Sequence, residues 1–135
     1  MHSAEILIKA HFHDLDPMEV VWHGNYTRYL EQARCALLDS ISYNYTEMRQ
    51  SGFAWPIVDL HIKYVRPIRF GQEVVIAAAI VEFQNRLKIE YRIRDRISGE
   101  VLTKATSIQV AVSLESGEMQ LESPPVLLSK LEAFP

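Results

Sequence analysis

The 135 residues contain a single cysteine, Cys35, which excludes an intramolecular disulfide framework and any multi-cysteine zinc site. Cys35 falls off the main apolar stripe of its helix, where a packed or semi-exposed structural thiol is expected. Excess positive charge is also missing. Lys and Arg number 14 against 17 Asp and Glu, for a net charge of −3, and the basic residues are scattered or strand-alternated, so no electrostatic footprint for nucleic acid exists. No apolar run is long enough to span a bilayer, and Met1-His2-Ser3-Ala4-Glu5 lacks a basic region followed by an apolar stretch. The expectation is a cytoplasmic protein with no membrane span. Repeats, linkers and low-complexity segments are absent, and the length suits one domain, residues 1–135.

What is present changes period along the chain, from two to helical and back to two. Ile6, Ile8, Ala10 and Phe12 alternate with Glu5, Leu7, Lys9 and His11, the pattern of a half-buried strand. Tyr26, Tyr29, Leu30, Ala33, Leu37 and Ile41 then recur at helical spacing, predicting a helix from about Asn25, a good N-cap, to Ile41. A short helix or turn over Tyr43–Ser51 ends at Gly52. Val58, Leu60, Ile62 and Tyr64 alternate with Asp59, His61 and Lys63 until Pro67 stops the strand. The run from Glu73 to Phe83 contains alanines, but its β-branched ends favour a buried strand.

Leu87, Ile89, Tyr91 and Ile93 give the cleanest alternation. After the turn at Ser98-Gly99, a fifth long strand is expected to present Thr106, Ile108, Val110 and Val112. The tail from Pro124 to Phe134 ends in a short helix. One strand, a long helix and then four strands describe an α+β fold, a single antiparallel sheet wrapped around a central helix, whose edge invites dimerisation.

The chemistry concentrates in Asp14-Leu15-Asp16-Pro17-Met18-Glu19-Val20-Val21-Trp22-His23-Gly24-Asn25-Tyr26. Pro17 keeps Asp16 extended, and the helix start follows closely, so an acid, a histidine and a helix N-terminus come within reach of one another. The same residues also fit a capping box in which Asp16 caps a short turn and Glu19 reaches back to it. Other groupings are weaker. His11 and His13 near Asp14 and Asp16 lack further ligands for a metal, Glu31 and Arg34 suit a helical ion pair, His61 belongs to a surface or interface, and Trp55-Pro56 can border a pocket.

The stretch from Asp16-Pro17 through Val20-Val21-Trp22-His23 to Asn25-Tyr26, with the helix Tyr29–Arg34 and the run Tyr64–Gln72, resembles hotdog-fold acyl-CoA thioesterases. The closest types are the 4-hydroxybenzoyl-CoA thioesterases and the thioesterase associated with the Tol-Pal system. The resemblance implies a hotdog fold with a five-stranded sheet, no cofactor, and a homodimer or homotetramer. Asp16 matches the catalytic carboxylate, as nucleophile or general base, with Asp14 in a lesser role. His23 matches the residue whose backbone N–H polarises the thioester carbonyl; its side chain orients water or the acyl group, or is structural. Trp22, Asn25 and Tyr26 fall among the substrate-binding positions. Asn25 and Tyr26 hold the loop, and Tyr26 lines the acyl pocket.

Arg86 and Lys88 match positions that meet coenzyme A phosphates, and equally the solvent face of any strand. Glu19 stands where relatives often carry glycine, placing a second carboxylate near the site or merely closing the capping box. The alternatives are an acyl carrier protein thioester as substrate, a hydroxyacyl-thioester dehydratase pairing His23 with Glu31, and a non-catalytic acyl-binding module.

Overall fold

In the computed structural model, which describes residues 2–135, the chain runs β1 (Ser3–Lys9), α1 (Tyr26–Ser40), α2 (Tyr45–Gln50), β2 (Phe53–Ala54), β3 (Ile57–Tyr64), β4 (Glu73–Glu82), β5 (Leu87–Asp95), β6 (Val101–Gln109), β7 (Val112–Ser113) and α3 (Pro125–Ala133). Five strands form one antiparallel sheet in the order β1-β4-β5-β6-β3, and β2 pairs separately with β7. This is the hotdog arrangement, with α1 lying on one face of the sheet.

The helical spacing of α1 gathers Tyr26, Tyr29, Leu30, Ala33, Leu37 and Leu38 on its buried face. They meet Val74, Ile76, Ala78 and Ile80 of β4 and Leu87, Ile89, Tyr91 and Ile93 of β5, all buried. The alternation of β4 is what its apolar run obscured: even positions face the helix and odd positions the other side. Each fully buried Leu or Ile contributes roughly 1.5–3 kcal/mol. The main sheet contacts of α1 are with β1 and β4, so the helix covers one half of the sheet. The β6–β3 half is left less covered, and on β3 Ile57, Leu60 and Tyr64 remain exposed at the free edge.

Several expectations are corrected. Phe12 does not continue β1; it lies in a 3-10 turn, Phe12–Asp14, and is 80% exposed, because the chain leaves the sheet once Ala10 has bonded to the loop at Gln72. The inward phase of β6 is the opposite of that expected. Thr103, Ala105, Ser107 and Gln109 are buried, while Thr106 and Ile108 are only half-buried on the other face. Register decides this: Leu87, Ile89, Tyr91 and Ile93 stand opposite Gln109, Ser107, Ala105 and Thr103. Polar residues are tolerated inside where they find partners. Tyr91 and Ser107 share a 2.7 Å hydrogen bond, and Gln109 Nε2 donates to the Trp55 carbonyl at 2.8 Å. The expected fifth strand also stops at Gln109, and Val112 belongs to β7. Cys35 is exposed on α1.

Leu37 has no exposed surface and Ile97 is 94% exposed. Leu37→Ala should therefore cost roughly 2–5 kcal/mol in urea denaturation, while Ile97→Ala should stay within about 0.5 kcal/mol of the parent.

Candidate active site

Asp14 holds the loop to the helix. Its side chain is 2% exposed; its carboxylate accepts the His11 N–H at 3.0 Å, the Tyr29 hydroxyl at 2.7 Å and the Arg28 guanidinium. Its backbone carbonyl accepts Trp22 N at 2.9 Å and Asn25 Nδ2 at 2.8 Å. Burial by itself would raise the carboxyl pKa. The His11 amide, the Tyr29 hydroxyl and the Arg28 charge outweigh it and hold the group down at about 2. Asn25 does precede α1, but its side chain turns back to Asp14 and caps nothing.

Between these two anchor points the chain makes a tight hairpin. Leu15 bridges Val21, Asp16 N bonds Val20 O at 2.9 Å, and Glu19 N bonds Asp16 O at 2.9 Å. Pro17 occupies the first corner of the turn, and Asp16 Oδ1 accepts Met18 N at 2.8 Å. Asp16 thus does cap the turn, as the capping-box alternative expects, but no helix starts here and Glu19 does not reach back; it is the last residue of a three-residue hairpin loop, with φ of 65°. Glycine suits that conformation best. The Glu19 side chain is exposed and does not line the cleft.

The far side of the hairpin is fixed by the 65–72 loop. Val21 N donates to Ile68 O at 2.7 Å, and Val20 bridges Arg69. Asp16, half-buried, then faces a cleft of about 250 Å³ shared with His23, Tyr26, Tyr64 and Arg66. The 3-10 turn His23–Asn25 runs directly into α1, and the first N–H groups of such a helical segment have no acceptor within it and carry the positive end of its dipole. Tyr64 Oη donates to the His23 carbonyl at 3.2 Å, and its ring meets Tyr26 edge-on at 4.7 Å. Burial pushes the Tyr26 hydroxyl pKa up. A carboxylate opposite a helix start, in a cleft floored by an aromatic pair, can attack or hydrate a carbonyl carbon while the helix end takes up the charge growing on its oxygen.

Thus the structure brings Asp16, His23 and Tyr26 together. Trp22 instead packs its indole on Gly24, where an added Cβ would lie 2.3 Å from the ring. Arg86 and Lys88 lie at the other end of the sheet, by the Leu87↔Gln109 pair, whereas Tyr64 pairs near Thr103 and Ile93. Arg86 is moreover bound to Glu82 through both carboxylate oxygens. Glu31 pairs with Arg34 and lines a different cavity from His23. Tyr64 and Arg66 also line the cleft, and in the sequence their only signal is membership of the run Tyr64–Gln72 that carries the resemblance. Asp14 too is understated by the sequence, where its only signal is the Asp-x-Asp spacing.

Comparison with known proteins places the fold in a family. The model of the thioesterase-like superfamily matches residues 10–131, and the chain belongs to that superfamily. It is 31% identical over 117 residues to a putative acyl-CoA thioesterase, YneP, of Bacillus subtilis, covering 86% of this chain and 84% of the relative. A putative esterase of Synechocystis is 34% identical over 128 residues, 94% of this chain and 77% of its own. Among solved structures, a DHNA-CoA thioesterase from Staphylococcus aureus shares the fold with a TM-score of 0.85 at 21% identity, over 98% of this chain and 91% of that one.

The loop makes two predictions. The Asp14 pKa is lowered on folding from about 3.8 to about 2, so its stabilisation is complete above the ordinary carboxyl pKa and is lost as pH falls through that interval, on the order of 2 kcal/mol. Asp14→Asn should lower the melting temperature at pH 7 and flatten the acid limb between about pH 4 and 2. Relief of the positive φ should make Glu19→Gly neutral to stabilising, by up to about 1 kcal/mol in thermal unfolding; a clear loss would show that its carboxylate holds the loop.

Proposed function

We propose that the chain is an acyl-CoA thioesterase, acting as a single domain in the cytoplasm. One observation carries the reading: Asp16 and the N-terminal turn of α1 face each other across one cleft. The thioester carbonyl oxygen takes the backbone N–H of His23, since the Asn25 and Tyr26 amides already bond the Trp22 and His23 carbonyls, and Asp16 meets the carbonyl carbon directly or through a water. Addition gives a tetrahedral centre whose collapse breaks the C–S bond, and where Asp16 itself added, it leaves an anhydride that water then cleaves to free the Asp16 carboxylate. The thiolate leaves, water supplies the oxygen of the free acid, and its proton passes to Asp16 or to the departing sulfur.

Asp16 presents its acid from a rigid hairpin. Met18 N occupies only one of its oxygens. Tyr26 and Tyr64 wall the thioester, and Arg66 also lines the cleft; its guanidinium pairs with Glu100 at 3.1 Å and would exchange that exposed partner for a phosphate of the thiol. Arg86 and Lys88 serve the nucleotide of a thioester bound across two chains.

The functional unit is at least a homodimer, and a tetramer by pairing of dimers. Supporting this, β3 offers an eight-residue edge with Ile57, Leu60 and Tyr64 exposed, and such an edge associates unless it is blunted. Light scattering at micromolar concentration should return a dimer or tetramer; an active monomer would refute the assembly.

Thiol release from a panel of aryl and fatty acyl-CoA esters tests the reaction. Asp16→Asn should keep the melting temperature and lower kcat by about 10²-fold or more. Unchanged turnover with a lowered melting temperature would make Asp16 a turn residue only. A large preference for the same acyl group on a carrier protein would move the substrate to that class.

A further inference from the structure

A second cavity, of about 390 Å³, lies between the C-terminal half of α1, α2 and β2, a volume in the range of small-molecule sites. Leu38, Met48 and Trp55 on its walls are each less than a tenth exposed. It is separate from the Asp16 cleft of the same chain. Tyr26 lines the cleft and Leu38 the cavity, and the twelve helical residues between them span roughly 18 Å.

Most polar groups on the walls are already bonded. Trp55 Nε1 donates to the Tyr43 hydroxyl at 3.1 Å. Asn44 gives its Nδ2 to Asp39 at 2.8 Å and accepts the Tyr45 amide on its Oδ1, also at 2.8 Å. Arg34 is held by Glu31 at 3.0 Å. Gln109 and Arg49 keep unused groups. Gln109 donates through Nε2 to the Trp55 carbonyl at 2.8 Å, while its Oε1 is buried with no partner in a residue only 4% exposed. An acceptor so placed is costly until a donor reaches it. Arg49 is exposed, lies 5.9 Å from the Tyr45 ring centre and forms no ion pair among the described residues.

The exposures set the order of these groups, Arg49 at the rim and Gln109 at depth, with apolar side chains between. Asp39 and Glu47 both bond Asn44, and no acid lines the cavity. Two arginines without an acid select against a cation and for an anion. A purely apolar guest would leave Gln109 Oε1 orphaned, and a neutral one would leave Arg49 unused.

We propose that this cavity binds a free amphipathic carboxylic acid with a hydroxyl at its far end. The carboxylate pairs with Arg49, the hydrocarbon body lies against Leu38, Met48 and Trp55, and the hydroxyl donates to Gln109 Oε1. Met and Leu walls adapt to a bendable chain. The site lies within one chain and goes beyond the thioesterase reading, since it needs neither Asp16 nor a paired sheet edge.

The test is calorimetric titration of the parent chain with acids from ω-hydroxyhexanoate to ω-hydroxydodecanoate, each beside the alkanoate and the α,ω-diol of the same length. At the length that binds best, the alkanoate and the diol should each bind about tenfold more weakly. Arg49→Gln, at an exposed position, should cut the advantage over the diol at least about threefold. Gln109→Leu should remove the advantage over the alkanoate; should it fail to fold, the comparison of the three ligands on the parent chain still decides. Asp16→Asn should bind the hydroxy acid as the parent does.

Equal binding of the three ligands, no heat from any of them at millimolar concentration, or loss of binding in Asp16→Asn would overturn the proposal. Thiol release by the parent chain is unaffected by each of these outcomes, so the thioesterase reading stands or falls separately.

Discussion

The buried carboxylate of Asp14 is the constraint on which the site depends. The group is removed from water, so it must find donors or lose its charge, and it finds them on the preceding turn at His11 and on the first turns of α1 at Arg28 and Tyr29. Its carbonyl ties Trp22 and Asn25 to the same point. With both ends of the 15–21 hairpin held, the only freedom left to Asp16 is at its tip. The distance between that carboxylate and the helix start is therefore set by packing and hydrogen bonds. A catalytic acid needs such preorganisation, since an acid on a loose loop would spend most of its time out of line with a carbonyl.

A second constraint is that one helix of this length cannot cover five strands. α1 takes β1 and β4, and the apolar residues of β3 are left at an open edge. In a monomer that edge is a liability.

Much of the fold was legible in the chain. α1 and the alternations of β1 and β5 follow from period alone, β4 is marked as a strand by its β-branched ends without its alternation being visible, and Gly52 and Ser98-Gly99 mark turns that the structure keeps. The phase of β6 was not legible, because its inward residues include the polar Thr103, Ser107 and Gln109, placed inside by register, with Ser107 bonded to Tyr91 of β5 and Gln109 to the Trp55 carbonyl. Asp16 and His23 could be picked out from their spacing and from the resemblance to known thioesterases. Asp14 could not be ranked correctly, since its three donors sit three, fourteen and fifteen residues away in sequence. Tyr64 joins the site only through sheet registration, 41 residues from the carbonyl it bonds.

The central claim, that a thioester carbonyl lies between Asp16 and the start of α1, is tested most directly by the vibrational frequency of that carbonyl. An acyl-CoA labelled with ¹³C at the carbonyl, bound to the Asp16→Asn chain to prevent turnover, should show a stretching band displaced to lower frequency than in solution, because the helix amides draw charge onto its oxygen. A bound ester whose band stays at the solution position would contradict the account.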